Sequence, residues 1–498
     1  MTGVYRAETR KLLAQVPFRV LLLTCLLGPA AFGIVLKVQG GLPSDALLGV
    51  WVHTSGYALP YVILGFAYLG FALIAGVLAG DLFASEDRYG TWSTVLARSS
   101  SRRDLFAGKV IAAGVLALCL AALAWFSSLI SGLLLIGDQP LVGLGGTLIS
   151  SGESLWLVSV SWLAIVPPLL AFTSLAVLFS VATRNGIMGV LGPVLVALAM
   201  QLLALIGNGT WVHTLLVASG FDAWHGLLGA PRFYGPMITG TLVSVLWIVL
   251  SLWAAWLILL RRDFTGPPVS RRASWGRLGI AVGTLLVLLA LLGAATNLGP
   301  AAITKGRLET SLGTNFNRLT VLQQHEAGRH VPRGAGLQLR TRCLRRGGKV
   351  QGPGDDWNCT ITVLAPQTGA EPFTRTEITY DVSARSNGCY KATSPSPLVG
   401  QQLMTTANGS TTINPLYTIY GCFDPSGPRN PCATSTVCAR SPSVAAPSRK
   451  APTGTTPSRT TREAETEAGG SVINEINQAE KELEQEKTPR AGEGSRQK

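Results

Sequence analysis

The chain has 498 residues, 48% of them hydrophobic and 14% charged, with a formal net charge of +14. Seven long apolar stretches fill most of its first three hundred positions. That pattern excludes a soluble fold, because no interior buries seven helices that are apolar on every side, whereas hydrocarbon does.

The stretches lie at 20–36, 58–79, 110–136, 155–179, 187–206, 238–260 and 278–295. Each is near the roughly 20 residues that a helix needs to cross a bilayer core. Ahead of the first, Tyr5, Leu12, Leu13 and Val16 recur at helical spacing, with Glu8, Arg10 and Lys11 on other faces. This predicts an interfacial amphipathic helix on the cytoplasmic leaflet, although a short solvated helix shares the pattern. The start is too long and too mixed for a cleaved signal, so the first apolar helix is expected to remain as an anchor.

The links between the stretches fix an orientation. Arg6, Arg10, Lys11 and Arg19 precede the first, and Arg88, Arg98, Arg102, Arg103 and Lys109 follow the second. Arg184 follows the fourth, and Arg261, Arg262, Arg271, Arg272 and Arg277 follow the sixth. The alternate links carry only Lys37 and Arg232. The positive-inside rule then predicts a multi-pass cell-membrane protein, with its amino terminus cytoplasmic and everything after the seventh stretch outside. The positive charge needs no nucleic-acid partner, since much of it is topology signal. The apolar stretches hold almost no charge, with Gln201 the main polar exception. That disfavours ion-coupled transport and suits a pump driven by ATP on another chain.

The link between the second and third stretches is the informative soluble element. Residues 82–97 predict a helix too polar to enter the bilayer, followed by a break at 99–101. Ser101 and Asp104 then stand in capping-box spacing at the start of the third span. Such a helix, held under the membrane by two spans, can transmit force from a cytoplasmic partner; an ordinary structured loop fits equally.

Catalytic patterns fail on spacing. His325 and His330 are five apart, where a zinc-binding helix wants four, and Arg329 occupies the second ligand's place. Gly108-Lys109 and Gly348-Lys349 are each followed by Val, and neither has the earlier glycine of a phosphate-cradling loop. The chain is therefore expected not to be an enzyme and to hold no metal or cofactor. Asn208, Asn358 and Asn408 begin glycosylation sequons that matter only in a host that glycosylates.

Beyond the spans, residues 300–440 predict an external β-rich domain. Segments 337–343, 357–364 and 377–382 alternate apolar and polar residues, with glycine-rich turns between them. Six of the eight cysteines fall here: Cys343, Cys359, Cys389, Cys422, Cys432 and Cys438. An even number in a segment placed outside predicts up to three disulfides, with connectivity open. Cys25 and Cys119 fall within predicted spans, and residues 441–498 read as a disordered tail with a faint helical period at 472–486.

The succession Glu86, Gly90-Thr91, an apolar turn, Arg98, Arg102-Arg103 and Gly108-Lys109 resembles the type-2 ATP-binding-cassette (ABC) transporter permeases. The resemblance extends over the six-helix core, including the basic start with Glu8 and Lys11, residues 179–192, and the exit at 261–264. The family's usual Pro before the Arg is replaced here by the serines at 99–101. The resemblance implies a six-helix permease core at 1–264, with 265–299 an added basic linker and seventh helix. It implies coupling to a separate cytoplasmic ABC ATPase through 82–97, with Glu86, Arg88, Gly90, Thr91, Arg98, Arg102 and Lys109 at the interface. It also implies a second permease half, identical or related, and ATP and Mg on the partner rather than on this chain. Export of an amphipathic or lipid-like substrate is the expectation. The alternative is a membrane-anchored envelope sensor or assembly protein acting through its external domain.

Overall fold

A computed structural model of the chain describes residues 2–39, 55–92, 94–95, 101–205, 215–229, 232–262, 303–328, 338–347, 351–364, 375–385, 388–395, 397–400, 403–407, 409 and 411–422. These residues divide into two compact units: one helical, up to Arg262 without Leu144–Thr147 but with Arg385, and one mainly β-sheet, from Ile303 onward together with Leu144–Thr147.

The helical unit contains α1 (Thr2–Ala14), α2 (Val16–Gln39), α3 (Ala58–Ala79), α4 (Ala84–Tyr89) and α5 (Arg102–Leu135). After a short β1–β2 pair (Leu141–Val142 with Leu148–Ile149) come α6 (Ser151–Ala164), α7 (Val166–Thr183) and α8 (Gly186–Leu205). Then follow α9 (Val217–Phe221), a 3-10 turn (Ala223–Leu228) and α10 (Gly235–Leu260). Among the described residues six stretches are long and apolar enough to cross a membrane: Val16–Val38, Ala58–Tyr89, Arg102–Leu135, Ser151–Thr183, Gly186–Leu203 and Gly235–Leu260. The unit has the composition of a polytopic helical membrane protein. These six correspond to the first six apolar stretches of the sequence; the seventh, at 278–295, lies outside the described residues.

Small residues set how closely the helices pack. A Cβ on Gly76 would meet the Val190 carbonyl, and one on Gly189 would meet the Gly80 carbonyl, so α3 and α8 touch backbone to backbone. Gly56 and Gly132 do the same between the chain ahead of α3 and the end of α5. Two departures from the sequence reading appear here. The fourth stretch is two helices, because Pro167 and Pro168 have no amide to donate and fall where a new helix begins after Ile165. In α1, Glu8 and Leu12 are buried (7% and 3% exposed), whereas Leu13, and Val16 at the start of α2, are exposed (43% and 68%). The inward face of α1 is decided by what Glu8 pairs with rather than by the apolar period.

The second unit begins with α11 (Lys305–Glu326), which buries Leu308, Leu312, Phe316 and Leu319. Those positions recur at helical spacing, so the β-rich expectation for 300–440 is corrected at its start, where a helix stands before the strands. An antiparallel sheet follows in the order β3-β4-β5-β6-β9, from Gln338–Arg345, Gly354–Leu364, Arg375–Ala384, Cys389–Thr393 and Thr418–Cys422. A smaller pair, β7 (Leu403–Thr405) with β8 (Thr411–Ile413), lies between β6 and β9 in the chain. The expected strands at 357–364 and 377–382 fall within β4 and β5, and 338–343 of the first falls within β3; Leu337 lies outside the described residues. Trp357, Ile361, Val363, Ile378, Tyr380 and Val382 are buried in the unit's core, and Phe316 of α11 meets Tyr380 edge-on at 6.2 Å. Burial raises the Tyr380 phenol above its usual range, and its hydroxyl donates to the Leu416 carbonyl at 2.8 Å.

The sheet register settles the cysteine pairing that the sequence left open. Cys343 stands opposite Cys359, and Cys389 opposite Cys422, and each pair is a disulfide. Cys432, Cys438 and the tail at 441–498 lie outside the described residues. Cys25 and Cys119 are free thiols in α2 and α5.

Candidate functional site

At 34 residues, α5 is roughly 51 Å long, far more than a bilayer core of about 30 Å requires. Its first turns therefore project beyond the apolar stretch. Ser101 caps them, its hydroxyl oxygen accepting the Asp104 amide at 3.1 Å, as the capping-box spacing predicted.

Two turns into α5 sits Lys109, fully buried. Its ammonium donates to Glu8 Oε1 of α1 at 2.8 Å, to Glu86 Oε1 of α4 at 3.0 Å and to the Leu82 carbonyl at 3.0 Å. An ammonium has three N–H bonds, and all three are used. Lys11 of α1 donates to the same Glu86 oxygen at 2.7 Å and to Ser85 Oγ at 3.3 Å. The other Glu86 oxygen accepts from the Thr91 hydroxyl. Two ammonium groups thus face two carboxylates, and the cluster balances without a buried net charge.

Further contacts tie the same segment to other helix ends. The Phe83 and Ala84 amides both donate to Ser180 Oγ near the end of α7, each at 3.1 Å. Asp87 pairs with Arg262, just past α10, and accepts from Trp92 Nε1 at 3.0 Å. The Arg262 guanidinium lies 5.0 Å from the Trp92 ring centre. Burial pushes Arg262 down to about 10, so it stays charged near neutrality. Arg88 reaches back to Asp81 at 2.7 Å. Residues 81–92 are therefore held by α1, α5, α7 and the end of α10 together.

The expected coupling residues divide into two groups. Glu86 and Lys109 are buried and spend their charge inside the chain, rather than standing at a partner-facing surface as the resemblance implies. Thr91 serves the same cluster. Arg88 is exposed at the outer face beside Tyr89, itself 70% exposed. Arg102 is exposed and donates to the Leu260 carbonyl at 3.4 Å. Arg98 lies outside the described residues.

Nor is 82–97 one helix. α4 ends at Tyr89, Gly90 turns into the left-handed region at φ +64°, and helix resumes at Trp92. Gly90 allows this turn because it has no Cβ penalty there.

Sequence reasoning did not place Lys11, Asp87, Ser180 and Arg262 at this site, nor Glu8 on its inner face. The available signal was that each except Ser180 is a charged residue bordering a span. Nothing in their local spacing says that helix ends distant in sequence converge.

Residues 41–265 match a protein family described as of unknown function (DUF2705). That stretch contains Glu86, Lys109 and Arg262 but not Glu8 and Lys11 of α1. No curated protein matches the chain.

Proposed function

We propose that the chain is the membrane-spanning permease subunit of an ATP-driven ABC transporter, coupled to a separate cytoplasmic ATPase through residues 82–97. One observation carries the reading. A polar segment bordered by two candidate spans is anchored to α1 and α5 by a four-charge cluster in which only Lys11 is exposed, and to α7 by Ser180, and it presents Arg88 and Tyr89 outward. A loop that merely connects two spans has no need of such bracing. Removing one member of a buried pair costs about 3–5 kcal/mol, so the segment moves as one body with α1 and α5 instead of bending alone. A push on Arg88 and Tyr89 reaches α5 through Lys109 and α7 through Ser180.

In this reading ATP and Mg act on the partner, a second permease half completes the pathway, and the chain exports an amphipathic or lipid-like substrate. The near absence of charge within the spans supports the substrate class. The β unit would lie on the extracytoplasmic side. The test is affinity purification under mild solubilisation, comparing wild type with Arg88→Glu/Tyr89→Ala. Co-purification of a Walker-motif ATPase that the double variant loses, with thermal unfolding unchanged, supports the reading. Equal recovery of the same proteins from both chains, with no ATPase among them, overturns it.

The compact, disulfide-bonded β unit favours a second reading, in which the spans anchor an envelope sensor or assembly factor. That reading predicts that the β unit fused to an unrelated membrane anchor retains the whole activity.

A further inference from the structure

The strand β3 borders the sheet on one side, with only β4 beside it. Alternate residues of an extended chain face the same way. Cys343 points into the core, so Arg340, Arg342 and Leu344 fall on the opposite face; Arg346 follows in the turn after β3, and all four are exposed. Arg345 turns away, bonded to Asp356 at 2.7 Å. Among the described residues the side chains of Arg340, Arg342 and Arg346 have no hydrogen-bond or ion-pair partner. Two strands away on this face stand Glu377 and Asp381; between them and the arginines lie Thr362, Thr360 and Asn358 of β4.

The backbone edge itself is not open to an added strand throughout. The Cys343 amide, which points away from β4, donates to the Glu309 carboxylate of α11 at 2.8 Å. Recognition at this strand therefore runs through side-chain charge.

The same chain contains a complementary pattern. Residues 480–486 read Glu-Lys-Glu-Leu-Glu-Gln-Glu, with Glu480, Glu482, Glu484 and Glu486 at alternate positions. In extended form these four carboxylates share one side, about 6.8 Å apart, which is also the spacing of Arg340 and Arg342. The acidic run and the stretch 340–346 both span seven residues. After Cys422, 57 residues precede Glu480, and a flexible chain of that length reaches on the order of 40 Å.

We propose that the acidic segment 480–486 docks in cis on the arginine face of β3, covering it with carboxylates that face Arg340, Arg342 and Arg346. The contact is electrostatic and reversible, so salt weakens it. It does not depend on coupling to an ATPase.

The test is amide hydrogen exchange on the full chain in neutral detergent at low salt. The variants are Arg340→Glu/Arg342→Glu, the tail charge reversal Glu480→Arg/Glu482→Arg, and all four changes combined. Exchange across 480–486 should be slowed several-fold in wild type, by local protection of the kind that folded contacts confer. Protection should disappear in either double variant and above about 0.5 M salt, where the Debye length falls below about 5 Å. It should return in the combined variant. Unchanged slow exchange across β4 and β5 confirms that the unit stays folded throughout. Unprotected 480–486 in wild type overturns the proposal, as does protection that survives Arg340→Glu/Arg342→Glu. So does failure of the combined variant to recover, or protection that vanishes on dilution, which would assign the contact to a second molecule. Protection of the β3 arginine face that persists after the tail reversal would assign it to another acidic partner and also overturn the proposal.

Discussion

The two units face the same problem, holding a marginally stable fold, with opposite chemistry. The helical unit has no water to drive helices together in hydrocarbon, and it relies on backbone contact at Gly76, Gly80 and Gly189 and on a buried ionic cluster at one end. The β unit relies on a conventional apolar core under α11 and on two covalent links across neighbouring strands. The difference lies in what each arrangement permits. Disulfides fix strands permanently, whereas ion pairs fix helix ends firmly yet allow them to move as a body when pushed. Covalent bracing stands in the β unit, and non-covalent bracing at the junction proposed to transmit force.

The largest effect should come from breaking the ionic cluster on one side only. Lys109→Met leaves the Glu8 and Glu86 carboxylates buried without their common partner, at a cost of about 3–5 kcal/mol. Thermal unfolding in detergent should show that loss, and adding Glu8→Gln should restore part of it. The β unit should keep both disulfides throughout, because they are covalent links within its own sheet.

How far the sequence foretold this contrast depends on the range of the contacts. The six spans were legible because hydropathy is a property of each segment alone, and β3, β4 and β5 because alternation is local. The Ser101–Asp104 cap was legible for the same reason. The ionic cluster was only half legible: Glu86 and Lys109 were singled out, but as partner-facing residues. Their mutual distance of 3.0 Å depends on the path of α3 and α5, and Glu8 comes from a helix whose apolar period pointed its face elsewhere. The disulfide pairing was illegible because it follows from sheet register, which no cysteine spacing encodes.

On the β side, Cys359→Ser should cost about 2–5 kcal/mol, in the range seen for native disulfides of small domains. Denatured, unreduced wild type should shield Cys343, Cys359, Cys389 and Cys422 from alkylation. The variant should expose Cys343 alone of these while the helical unit's unfolding stays unchanged. Loss of the helical unit's stability in this variant would erase the contrast between the units.

The smallest effect belongs to Gly90→Ala. A Cβ there meets nothing, so only the φ of +64° is penalised, by about 1–2 kcal/mol. Gly90→Asn should cost less, since Asn tolerates the left-handed region better. A comparison of the two variants by thermal unfolding separates a conformational need from a steric one.

The central claim, that residues 82–97 meet a cytoplasmic ATPase, is tested most directly by a photo-crosslinking amino acid placed at Tyr89 in living cells. Tyr89 is exposed and outside the ionic cluster, so the substitution leaves the junction intact. The account predicts a single dominant adduct whose mass-spectrometric identification gives a Walker-motif ATPase. Adducts only to lipid, or to a protein on the extracytoplasmic side, would contradict it.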